Sequence, residues 1–115
     1  MYNYYYIKTD CRSNCWDTPE IRELLLSHGM EDRGSGVFVR QNPFLDISLM
    51  KVKDLNIWSS RDYDPQETNY VSIVTSFDGK ENPEIMAIFK ELEYLLCFRI
   101  CPDDCEREVT PYPDP

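Results

Sequence analysis

The chain has 115 residues with 42% hydrophobic and 13% aromatic content, which fits one globular domain and excludes a disordered chain. Twenty-one acidic residues against twelve basic ones give a formal net charge of −9, a field that repels phosphate backbones and favours basic partners. No apolar run reaches the roughly 18 residues that a membrane-spanning helix needs, and the opening MYNYYYIKTD has no basic segment leading into a long apolar one, so a cytoplasmic protein without a signal peptide is expected.

Tyr2–Thr9 reads as a strand, with Tyr2, Tyr4 and Tyr6 on one face and Tyr5 and Ile7 on the other. Apolar bodies on both faces suit an interior strand covered on one side by helices. A loop carrying Cys11 and Cys15 follows. Asp17 then opens a helix over 18–28: it stands as cap with Glu20 three residues on, Trp16 is placed to pack on Ile21, and Pro19 lies in the first turn. Ile21, Leu24, Leu25 and His28 recur at helical spacing, and Gly29 supplies a left-handed stop.

Gly34–Gly36 reads as a flexible loop, Val37–Arg40 as a short strand and Gln41–Pro43 as a turn. Phe44–Lys53 alternates through Leu45, Ile47 and Leu49, and the slip of phase to Met50 and Val52 predicts a bulge near Leu49–Met50. Asp54–Asn69 is polar and longer than a usual connection, which marks it as a binding loop. Tyr70–Phe77 resumes strand character. Asn82-Pro83 starts a second helix, striped by Ile85, Ile88, Phe89, Leu92 and Leu96. Near Tyr94 the period becomes two, so a last strand through Phe98 and Ile100 to Cys101 is expected, with a helix running on to about Phe98 as the competing reading.

These elements give one α+β domain over 1–108 in the order β-α-β-β-β-α-β, a mixed sheet with two helices packed on one face. An acidic, proline-rich tail covers 109–115. If both helices join parallel strands and the central links are hairpins, only the third strand opposes the others. Cys11 and Cys15 would then leave the sheet at the same end as Cys101 and Cys105.

Two sets of residues carry candidate chemistry. The first is Trp58, Asp62, Tyr63, Asp64 and Glu67 in the long loop, with Asp103, Asp104 and Glu106 adding negative field. Aromatic anchors ringed by acids suit a contact with a basic protein. The second is Cys11, Cys15, Cys101 and Cys105, four thiols that could hold structural zinc or form a redox switch. Cys97 reads as a small core residue. His28 is expected at the end of the sheet far from those four cysteines, which disfavours a Cys–His nucleophile. No buried carboxylate or glycine-rich phosphate loop is evident, and the tyrosine strand lacks the basic field of a nucleic-acid platform.

In size, acidity and small α+β layout the chain resembles bacterial toxin-immunity and phage inhibitor proteins, a likeness of architecture and charge that carries no residues across. The reading is a non-enzymatic acidic interaction module without a cofactor, of inhibitor or immunity type, that blocks a basic partner surface. A small cysteine-cluster protein that binds zinc or switches by redox is the alternative.

Overall fold

The computed structural model describes residues 2–11, 13–55, 62–76 and 82–103. Strand β1 (Asn3–Lys8) is followed by β2 (Trp16–Asp17), helix α1 (Thr18–Ser27), strands β3 (Glu31–Gly34), β4 (Val37–Arg40), β5 (Leu45–Met50), β6 (Glu67–Thr68) and β7 (Tyr70–Thr75), helix α2 (Pro83–Leu96) and β8 (Cys101–Pro102). Both helix starts follow the local chemistry. Asp17 Oδ2 accepts from the Glu20 N–H, and Asn82 Oδ1 accepts from Glu84 and Ile85. Caps of this kind are worth about 1 kcal/mol. Fully burying one Ile or Leu contributes about 1.5–3 kcal/mol, so the buried Ile21, Leu25, Ile85, Ile88 and Leu92 decide that these helices persist.

Six strands form one sheet in the order β3-β4-β5-β7-β1-β8, and β2 pairs with β6 in a separate ribbon. The α+β class with two helices is therefore as expected, but the strand directions are not. Every described pairing is antiparallel. The cause is β3, whose sequence EDRG is exposed throughout and has no apolar alternation to announce it. Both helices do join strands of like direction: β1 and β3 run the same way, and so do β7 and β8, which flank β1. One extra strand after α1 inverts every later strand relative to the expected order. The expected flexible loop Gly34–Gly36 is the hairpin turn that makes this possible, with φ of 88°, 53° and 81° at Gly34, Ser35 and Gly36.

Both helices cover one face. Ile21, Leu25, Ile88, Leu92 and Leu96 pack with Ile7, Phe38, Leu45, Ile47, Leu49, Val71 and Ile73, and Tyr5 meets Phe89 edge-on at 5.1 Å. On the other face, among the described residues, a smaller cluster of Met50, Val52 and Tyr70, joined by Tyr6 and Leu55, covers the end of the sheet where β5 finishes. Leu49 and Met50 are thus both buried because each face is covered there, and β5 pairs with β7 in unbroken register. That two-sided burial explains the slip of hydrophobic phase, and it replaces the expected bulge.

Residues 94–96 belong to α2, and the last strand is only Cys101–Pro102. The helix is stopped by Cys97 in the left-handed region at φ 62° and ψ 27°, a position more often taken by glycine. Its side chain is exposed, so Cys97 is not the core residue expected. Trp16, on β2 just ahead of α1, fixes this joint: its Nε1–H donates to Leu96 O at 3.0 Å and its ring meets Phe98 edge-on.

Candidate functional site

The long polar connection is pinned to the body at its described end. Thr18 Oγ1 is 3.1 Å from Asp64 O and 2.7 Å from Thr68 Oγ1. A hydroxyl has one proton, so with Thr18 donating to Asp64 O, Thr68 donates to Thr18. Thr18 N–H also donates to Gln66 O, and Lys51 N–H to Asp62 O. Next to this seam, the buried Asn69 side chain accepts from Val52 N–H at 2.7 Å and donates to Val52 O at 3.0 Å. Each such bond contributes on the order of 1 kcal/mol net, which holds residues 51 and 52 beside the start of β7.

The seam brings together carboxylates that are distant in sequence. Asp17 and Glu67 stand directly opposite each other across the β2–β6 ladder. Glu20 lies exposed in the first turn of α1, and Asp64 is two residues before the Gln66 that it caps. Like charges facing each other on a ladder are unfavourable; Lys51 offsets this through an ion pair from Nζ to Glu67 Oε1. Two neighbours register the resulting negative field. The Cys15 thiol is pushed above its ordinary 9.0 by burial, then by Glu67 and, behind the opposing effect of Lys51, by Asp64. The Lys51 ammonium is also raised, chiefly by its hydrogen bond to Glu67.

The expected contact residues divide unequally. Asp62, Tyr63, Asp64 and Glu67 share this end of the sheet, beside the ends of β1 and β5 and the start of β7. Trp58, Asp104 and Glu106 lie outside the described residues. Asp64 is engaged internally, since its Oδ1 accepts from Gln66 N–H at 2.8 Å and Glu67 N–H at 3.0 Å, bonds that hold its carboxyl below the usual 3.8. The Tyr63 ring lies on Gly36, where an added Cβ would overlap both the ring and Leu49 O. Asp103 is elsewhere: its N–H donates to Tyr4 O. Four residues separate Tyr4 from Lys8, or about 13 Å along the strand. Sequence marks Asp17 and Glu20 as helix-start residues, and their place in the acidic ridge depends on the β2–β6 pairing, which carries no local signal.

The cysteine grouping is corrected by the strand directions. Cys11 and Cys15 follow the end of β1, whereas Cys101 stands opposite Tyr6 and the chain runs on from it toward Tyr4, away from that end. Cys105 lies outside the described residues. Among the described residues no three Cys, His, Asp or Glu side chains converge on one point. His28 Nε2 lies 3.0 Å from Glu91 Oε2 and links α1 to α2.

Compared with protein-family models, with curated proteins and with solved structures, the chain matches none. No described helix is long and apolar enough to cross a membrane.

Proposed function

We propose that the protein is a non-enzymatic acidic interaction module, of inhibitor or immunity type, that covers a basic surface of another protein. The observation that supports it is the ridge of Asp17, Glu20, Asp64 and Glu67 along the β2–β6 seam; within it Glu67 and Asp64 add to the burial that raises Cys15 and, chiefly through the Glu67 hydrogen bond, raise Lys51. A surface of this kind accelerates encounter with a cationic partner and selects against acidic ones. The ridge rests on the Thr18–Thr68 and Asp64 hydrogen bonds, so the carboxylates are presented in place and little ordering is required on binding.

The experiment is capture of binding proteins from the source cell on the immobilised full chain, followed by affinity measurement with the double variant Glu20→Lys/Glu67→Gln. Asp64 is left intact because its carboxylate holds the turn. A basic partner whose affinity falls at least tenfold, about 1.4 kcal/mol, supports the reading. A partner without a basic surface, or one indifferent to the double variant, contradicts it.

A further inference from the structure

Among the described residues the two faces of the sheet are covered unequally, and the less covered one carries a row of side chains outside the helical core. Strand registers place Glu31 opposite Val39, Val39 opposite Asp46, Asp46 opposite Val74 and Val74 opposite Tyr4. The Asp103 N–H bond to Tyr4 O continues the row to the residue that follows β8. The neighbouring row contains Ser48 and Ser72, again a paired register. The core on the helical side includes none of these residues, and among the described residues the small cluster around Met50 and Tyr70 reaches only as far as Tyr6, in the row beside Ser72.

Asp46 stands near the middle of this face, on the third of six strands. It is partly buried between two valines, and among the described residues its carboxylate has neither a hydrogen-bond donor nor an ion-pair partner. Arg33 is the charged neighbour that acts on it, but that guanidinium is already paired with Glu31 at 3.1 Å. Lys8, which shares the face, lies over the Tyr6 ring at 5.4 Å. A half-desolvated, unpaired carboxylate is unfavourable in the free protein, and a cation laid over it under a partner would compensate it. Adjacent strands are about 4.8 Å apart, so Asp46 and Asp103, three strands apart, are separated by about 14 Å. Tyr4, 44% exposed, and Val74 offer an apolar floor between them.

We infer that the less covered sheet face is a second contact surface for the basic protein partner, one that takes an extended segment with cationic side chains four residues apart, seated on Asp46 and Asp103. Four residues of extended chain span about 13 Å, which matches the separation of the two carboxylates. The residue midway between the cations then faces Val74 and Tyr4. This inference rests on the acidic-module reading and adds to it a site remote from the Asp17–Glu67 ridge.

The test is a residue-resolved NMR titration of the full chain with the capped peptide Arg-Ser-Val-Ser-Arg, run beside the same peptide carrying citrulline, the neutral isostere, in place of arginine. The expected result is saturable amide shifts at Val39, Asp46, Val74 and Tyr4, absent with citrulline and weakened at least fivefold by Asp46→Asn in a chain whose remaining spectrum is unchanged. Shifts confined to Asp17, Glu20 and Glu67 would overturn the inference and leave the acidic-module reading standing. No saturable shift anywhere would count against both. A dimer in the free sample whose dilution moves the amides of Val39, Asp46, Val74 and Tyr4 would show that a second copy occupies the face, which also overturns the inference; the citrulline comparison decides the matter if Asp46→Asn does not fold.

Discussion

Asp46 and Cys15 are both pushed toward their protonated forms, for partly different reasons. For Asp46 the cause is burial, which Arg33 opposes only in part. An acid whose folded-state pKa lies above its unfolded value costs stability once it ionises, so the penalty grows as pH rises from 3.8 through the folded-state value and is complete above it. Asp46→Asn is therefore expected to be more stable than the parent at pH 7 and equal to it near pH 3, measured by urea unfolding at the two pH values. A variant less stable at pH 7 would show that the carboxylate has a favourable partner. For Cys15, burial is joined by Glu67 and Asp64. Cys11 is exposed, so iodoacetamide at pH 8, read by peptide mass, should label Cys11 well before Cys15, and Glu67→Gln should narrow the gap by removing one raising charge and releasing Lys51. Equal protection of Cys11 and Cys15 would instead point to the zinc or disulfide alternative.

At the scale of elements, what could be read from the chain was whatever has a local cause. Asp17 and Asn82 announced both helix starts, and Tyr5 with Ile7 identified an interior strand whose other side carries Tyr4 and Tyr6. The strand Glu31–Gly34 was not legible, because an edge strand that buries nothing has no hydrophobic period. Its omission inverted the direction of all later strands and with it the expected meeting of Cys101 with Cys11 and Cys15. The acidic ridge was half legible: the loop acids stood out by composition, whereas Asp17 and Glu20 join them only through the β2–β6 register. The end of α2 was missed because a cysteine holds a conformation normally signalled by glycine. Left-handed backbone costs a side-chain-bearing residue about 1–2 kcal/mol, partly offset by the greater unfolded-state freedom of glycine. Cys97→Gly should accordingly raise stability by about 0.5–1 kcal/mol in denaturant unfolding; a loss would mean that the thiol contact with Tyr94 O outweighs the backbone term.

Across the whole molecule, the net charge of −9 is not evenly opposed. Among the described residues Arg22, Arg33, Arg40 and Lys51 each bond to a carboxylate of the same chain. Surface pairs like these contribute about 0–1 kcal/mol each, so their larger consequence is to leave the excess acids facing outward. The ridge at the β2–β6 seam and the row through Asp46 lie on different parts of the molecule, which suits a partner that wraps rather than one that touches a single spot. Long-range attraction between such surfaces is screened over about 8 Å at physiological salt. The most direct test is the association rate constant of the captured partner as a function of ionic strength. It should fall at least tenfold between about 20 and 300 mM salt, with a shallower slope for Glu20→Lys/Glu67→Gln. A rate that is independent of salt and the same for both proteins would contradict the account.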